Sequence, residues 1–206
     1  MSRAAATEQL SDGDLLLSDG DLLRLSRKND ETAFLILYRR HQGPVFRFAL
    51  HMSGSREVAE EVTQEVFLAM LSGAGQYAPA QGSIQGYLIG IARNHVRRQL
   101  RQIRTMVPDD ADAGMVSHAA SGEHMLDQLS RQQELGALRI AILKLPPNYR
   151  EAVVLCDLEG MDYAQAAQQL GCALGTVRSR LHRARAILQT KLQRHDALRR
   201  RERCPA

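Results

Sequence analysis

A chain of 206 residues with no tryptophan and only 4% aromatic residues must build its cores from Leu, Val, Ile, Ala and Met. That suits helical bundles and allows one large domain or two small ones. The three cysteines, Cys156, Cys172 and Cys204, form no CxxC pair, which argues against a zinc site or a disulfide framework; Cys156 and Cys172 read as small core residues. No apolar run approaches the ~18 residues of a membrane helix, and the first ten residues lack the apolar centre of a signal peptide. A soluble, cytoplasmic protein without membrane insertion is expected.

The N-terminus carries a tandem duplication, LSDGDLL at 10–16 and again at 17–23. The second copy reads as a helix start capped by Ser18 or Asp19, the first as an arm without an assigned role. A short helix over 21–28 ends near Asn29. Asp30 caps a helix from Glu31 to about His41, with Phe34, Leu35, Leu37 and Tyr38 on its apolar side. Gly43-Pro44 is expected to break it, with Pro44 opening the next helix to about Met52. Ser55 then caps a helix over 56–71. Val58, Val62, Val66 and Met70 fall on one side of this helix, and Glu57, Glu60, Glu61, Gln64 and Glu65 on another. Periodicity alone favours a solvated acidic face there. Residues 72–83, SGAGQYAPAQGS, form a loop with one aromatic, Tyr77.

Ser83 caps a long helix over 84–104 in which Leu88, Ala92, Val96 and Leu100 face a core. Arg93, Arg97, Arg101 and Arg104 line a second face, with Asn94 beside them, a row able to track a phosphate backbone. Residues 105–128 have no helical stripe before Met125 and read as a linker. Two helices follow, over 129–144 and 147–158, separated by Pro146-Pro147. Next come a helix capped by Asp162 and running to Leu170, a turn at Gly171, and a helix restarting near 174–176. Val177, Leu181, Ala184 and Leu188 form the core stripe of that last helix, and Arg178, Arg180, Arg183, Arg185 and Lys191 occupy its other faces. A short helix, a glycine turn and a basic second helix make a helix-turn-helix, whose second helix can enter the major groove. The final ten residues read as a basic tail that frays.

The net charge of +4 is modest, but it is unevenly distributed. Residues 178–203 hold ten Arg and Lys against Asp196 and Glu202, residues 84–104 hold five Arg and no acid, and Asp109, Asp110, Asp112, Glu123 and Asp127 lie between. Two basic regions held apart by an acidic one suggest two contacts with a polyanion.

Taken together, Tyr38-Arg-Arg-His41, EEVTQEVFLAM (60–70), QGSIQGYLIGIARNHVRRQLR (81–101) and LKLPPNYREAVVLCDLEGMDYAQAAQQLGCALGTVRSRLHRAR (143–185) resemble the extracytoplasmic-function (ECF) group of RNA polymerase sigma factors. The resemblance covers about residues 19–192. It implies an all-α protein of two small helical domains joined by a flexible linker. These are a region 2-like bundle over 18–104 and a region 4-like helix-turn-helix domain over 129–195, with an arm over 1–17, the linker over 105–128 and a tail over 196–206. The first domain would bind the clamp of core RNA polymerase and melt the −10 element. The second would bind the flap and read the −35 element in duplex promoter DNA.

Carried over by position, Glu61, Gln64 and Glu65 fall where the family contacts the clamp, which turns the acidic face from a solvated surface into a docking one. Tyr77, Tyr87, Arg93, Asn94 and Arg97 correspond to the −10 single-strand surface, and Thr176, Arg178, Ser179, Arg180, His182 and Arg183 to the −35 recognition helix. An anti-sigma partner is implied as well; neither a cofactor nor a metal is, and no catalysis. The sequence departs from the family pattern in four places. Tyr87 stands where Trp is common, Glu61 and Thr63 where Asp and Val are usual, and Ala166 where a larger aliphatic side chain is usual, which predicts looser packing around Ala166. Two other readings compete. A helix-turn-helix repressor would leave residues 56–104 without a task. A recombinase would need a catalytic cluster, and the sequence offers none with supporting context; His118 and His124 read as solvated linker residues.

Overall fold

The computed structural model describes residues 17–73, 77, 82–106 and 127–203, with side chains described for 17–73, 77, 82–101 and 135–193. The first tandem copy, most of the loop around Tyr77 and nearly all of the expected linker lie outside the described residues. Within them the protein is helical and contains no strand. The helices are α1 (Asp19–Ser26), α2 (Glu31–Ser53), α3 (Arg56–Leu71), α4 (Ile84–Met106), α5 (Asp127–Leu143), α6 (Pro147–Val153), α7 (Tyr163–Leu170) and α8 (Leu174–Arg203), with a π-helical turn, Val154–Leu158, continuing α6.

Local chemistry sets most of the boundaries. Ser18, Asp30, Ser55 and Asp162 each accept a hydrogen bond from the backbone N–H three residues on, satisfying a donor that the helix leaves free. Ser83 does the same for Gly86 at the start of α4. Asn29 ends the first turn with a left-handed φ of 67°, a conformation that asparagine tolerates better than most residues.

Pro44 does not break its helix: α2 runs through it from Glu31 to Ser53. A proline inside a helix costs about 3 kcal/mol. Leu37, His41, Val45, Ala49 and Met52 form one buried stripe across the proline, with Phe48 fully buried beside it. Fully burying such large apolar side chains contributes about 1.5–3 kcal/mol each, so continuing the helix outweighs breaking it. The C-terminal tail also differs from expectation, since α8 stays helical to Arg203.

The first domain packs α1 to α4 around Leu22, Phe48, Val62, Val66, Met70, Leu88, Ile89 and Val96. An aromatic cluster closes one end, with the Tyr38 and Phe67 rings 4.7 Å apart and Phe34 edge-on to Phe67. Thr63 is buried there, its hydroxyl donating to the Ala59 carbonyl at 2.7 Å. The second domain packs α5 to α8 around Val153, Leu155, Val177, Leu181 and Ala184, with Ala166 fully buried.

The two domains also touch each other. α2 meets α5 and the π-helical turn, α4 meets α7, and the buried residues of both domains form one cluster. Gly54 ends α2 with φ 76°, and a Cβ there would lie 2.8 Å from Leu143 of α5. The backbone angle favours glycine at this position, and Leu143 would have to shift to admit any larger residue.

Candidate nucleic-acid and polymerase interfaces

Three surfaces carry the candidate residues, and the fold treats them differently. On α3, the alternation of core and polar positions leaves Glu57, Glu60, Glu61, Gln64 and Glu65 exposed along one side. Leu68 continues that side and is 61% exposed. Arg56 pairs with Glu60 at 2.8 Å, an i,i+4 contact at the helix start. Among the described residues, Glu61 and Glu65 form no ion pair within the chain. An acidic ridge with one bare leucine can receive a basic, partly apolar helix. The leucine was not singled out from sequence, although it sits one turn beyond Gln64 and Glu65.

α4 presents three faces. Leu88, Ile89, Ala92 and Val96 enter the core. Tyr87, Asn94 and Arg98 follow at roughly two-turn and one-turn intervals on an outward side, Asn94 and Arg98 exposed and Tyr87 half-buried. The Tyr77 ring lies 5.6 Å from that of Tyr87, and its hydroxyl donates to the Gly82 carbonyl at 3.1 Å. The structure thus brings Tyr77 and Tyr87 together, with Asn94 farther along the same helix side.

Arg93 and Arg97 lie on the third face, under the second domain. Arg97 donates from Nε and Nη2 to the two Glu151 carboxylate oxygens at 2.7 and 2.9 Å. Arg93 reaches the same carboxylate at 3.3 Å and the Gln169 carbonyl at 2.8 Å. Two arginines of the row read from sequence, Arg93 and Arg97, are therefore engaged by the second domain; Arg101 is exposed, and the Arg104 side chain lies outside those described. Glu151 and Gln169 were missed altogether. The available clue was a glutamate at 151 on the same helical stripe as Val154 and Leu155, a core position given to a charge.

In the second domain, Asp162 starts α7, Gly171 turns the chain with φ 63° and ψ 41°, and α8 restarts at Leu174. Val177, Leu181, Ala184 and Leu188 anchor α8 to the core. That anchoring leaves Arg178, Ser179, His182 and Arg183 exposed and Thr176 and Arg180 half-buried. All six predicted recognition residues thus share the first three turns of one helix. Arg180 approaches the Cys172 sulfur at 3.8 Å, and Ser179 donates back to the Thr176 carbonyl.

Arg178, His182 and Arg185 line an open groove with Tyr163. Arg185 is held by both oxygens of Asp157, at 2.6 and 3.1 Å. Its hydrogen bonds to Asp157, and next to Tyr163, raise its pKa above the ordinary value. The Cys156 thiol is pushed up to about 11, by burial first and Asp157 second, so it is protonated at neutral pH and poorly nucleophilic. The described residues hold no cluster of metal-ligating side chains and no helix long and apolar enough to cross a membrane.

Residues 37–105 match the sigma-70 region 2 family and residues 135–188 the sigma-70, region 4 family. The ECF RNA polymerase sigma factor SigE of Mycolicibacterium smegmatis is 37% identical over 78% of this chain and 62% of its own length. EcfG of Rhodopseudomonas palustris is 34% identical over 70% of this chain and 77% of its own. SigM of Mycobacterium tuberculosis is 32% identical, covering 83% of each. Among solved structures, the sigma factor RpoE bound to the anti-sigma factor NepR from Bartonella quintana superposes with a TM-score of 0.63 at 26% identity, covering 78% of this chain and 96% of that one. CnrH, solved with the cytosolic domain of CnrY, gives the same TM-score at 23% identity, covering 85% and 97%, and supports the fold.

Proposed function

The chain belongs to the extracytoplasmic-function RNA polymerase sigma factors, and from that premise we propose that it divides promoter recognition between its two domains, each through its own set of residues. The exposed acidic side of α3 (Glu61, Gln64 and Glu65, with Leu68) docks on a basic coiled coil of the polymerase clamp. Carboxylates along one edge supply long-range attraction, and the leucine adds apolar contact that excludes water. On α8, the early residues Thr176, Arg178 and Ser179 read base edges of the −35 duplex. Arg180, His182 and Arg183 meet base edges or neighbouring phosphates. In the first domain, Tyr77, Tyr87 and Asn94 receive an unstacked base of the −10 element and its strand, with Arg93 and Arg97 close by on the same helix. Duplex DNA does not offer such a base, so binding it favours the melted state.

Neither DNA contact need be strong alone. Once polymerase holds both domains, the second binding event becomes intramolecular and the two contributions combine. The chain works in the cytoplasm, where polymerase and promoter are, and an anti-sigma protein that covers these surfaces restrains it, as the RpoE–NepR pairing suggests by analogy. The carrying observation is that the exposed acidic side of α3 and the exposed basic start of α8 lie in separate domains matched to regions 2 and 4. Run-off transcription by core polymerase with the purified chain on a promoter library tests the reading. The expected result is start-site selection dependent on paired −35 and −10 sequences. Failure to gain start-site selectivity over core alone refutes it, and tight binding of a palindrome without polymerase would favour a repressor instead.

A further inference from the structure

Glu151 is a charged residue that the second domain does not satisfy by itself. It is 1% exposed, and its hydrogen bonds come from Arg93 and Arg97, 58 and 54 positions away in the first domain. Removing a carboxylate from water is costly, and a buried ion pair seldom adds net stability over apolar packing. Here the pair lies where two domains meet, so separating them returns all three charges to solvent.

The surroundings are built for close but polar contact. Gly86 and Gly90 lie on the same covered face of α4 as the two arginines. Gln169 of α7 donates to the Gly86 carbonyl at 2.7 Å, and a Cβ on Gly90 would stand 2.8 Å from the Gln169 side-chain oxygen. Farther along, Arg150 donates to the Met52 carbonyl at 2.7 Å, and Arg47 reaches the buried Glu159 at 3.3 Å. These polar contacts run beside the apolar one between Gly54 and Leu143, and polar contacts between domains can part and reform.

A carboxylate gripped by a guanidinium fork also has the shape and charge of a phosphate ester in the same grip. We propose that Arg93 and Arg97 form an anion site with two alternative occupants. In the free chain the occupant is Glu151, which clasps the domains together; in the promoter complex it is a backbone phosphate of the separated strand, and the clasp is open. This extends the proposed role of α4 at the −10 element and rests on it. The outward residues Tyr87, Asn94 and Arg98 stay accessible in either state, while the guanidinium edges that Glu151 holds are open to DNA only after the domains part. A free factor would thus be kept from single strands by its own second domain, and polymerase, by holding the domains apart, would release the site.

The test uses the full chain and three variants. Glu151→Gln removes the internal anion, Gly90→Leu wedges the interface from a position outside both cores, and Arg93→Ala/Arg97→Ala removes the site. Small-angle scattering reads the separation of the domains. Anisotropy of a fluorescent single-stranded deoxyoligonucleotide carrying a −10 sequence reads the site.

The wild type should be compact and all three variants expanded. Glu151→Gln and Gly90→Leu should bind the strand about tenfold more tightly than wild type, the gain expected if about one chain in ten is open at rest. The double arginine variant should open without that gain. If the wild type is already expanded, or if neither Glu151→Gln nor Gly90→Leu changes the scattering, the clasp is refuted; run-off transcription by the wild type would still stand. If both variants open and strand affinity does not rise, the shared site is refuted. Loss of wild-type run-off activity would be the separate failure of the underlying functional reading.

Discussion

α4 and α8 look alike in sequence, and the fold uses them in opposite ways. Each is a helix with apolar residues every three or four positions and arginines on its other faces. α8 is anchored by Val177, Leu181 and Ala184 and leaves Arg178 and Arg183 exposed. α4 is anchored by Leu88, Ala92 and Val96, yet two of its arginines lie under another domain. The difference comes from glycine. Gly86 and Gly90, one turn apart, leave a furrow on α4 that Gln169 enters. A row of arginines therefore does not by itself say whether a helix faces solvent, DNA or protein; the small residues beside it help decide.

The largest expected effect tests the exposed half of this contrast. Arg178→Ala should weaken −35-dependent binding by holoenzyme by about 1–3 kcal/mol, roughly 5-fold to 150-fold, with polymerase affinity unchanged. Because Arg178 is exposed, its melting temperature should match wild type; a drop of several degrees would mean that α8 relies on this arginine for folding, and the contrast with α4 would fail. Arg97→Ala should show the reverse pattern, because it strips a bidentate partner from a buried carboxylate. A loss of about 1–3 kcal/mol in thermal stability of the free chain is expected, and an unaltered melt would show that the α4 contact carries no energy.

A smaller effect belongs to α3, whose acidic side is as open as the basic side of α8. Glu65→Lys should weaken association with core polymerase several-fold, mainly by slowing encounter, and more at low salt than at high salt. Titration of labelled core polymerase measures this. Equal affinity at every ionic strength would return the α3 stripe to an ordinary solvated face.

Most of the framework was legible from local chemistry. Ser18, Asp30, Ser55, Ser83 and Asp162 were readable as caps because each needs only a backbone N–H three residues away. Gly171 was readable because a left-handed turn favours glycine. Helix α2 was misread at Pro44, since the local penalty is visible in sequence and the buried stripe that overrides it is a property of the folded core. The six residues of the recognition helix were legible as a group because they share one helix. The pairing of Glu151 with Arg93 and Arg97 was not, because more than fifty residues and a linker separate the partners, and no local rule links a core glutamate to a remote arginine.

The smallest effect concerns another covered charge in the first domain. Asp19 accepts from Arg40 at 2.8 Å and lies 2.8 Å from the His41 Nε2. Burial of the carboxyl opposes its ionisation, but the Arg40 hydrogen bond, together with the charge and hydrogen bond of His41, outweighs that and holds its pKa below the ordinary aspartate value. A depressed acid stabilises the fold above its unfolded pKa, near 3.8, and loses that contribution as pH falls through the lower folded value. Asp19→Asn should therefore lower the melting temperature at pH 7 and bring the two proteins together as pH falls below 3.8 and through the lower folded value. The carboxylate keeps 33% of its side-chain exposure, so solvent screens the pair and the gap at pH 7 should be only about 2 °C. If the gap widened on acidification, the cluster would be stabilised by the protonated acid instead. The covered charges of the first domain would then not behave as ion pairs, and the contrast between sheltered arginines on α4 and bare ones on α8 would lose its electrostatic basis.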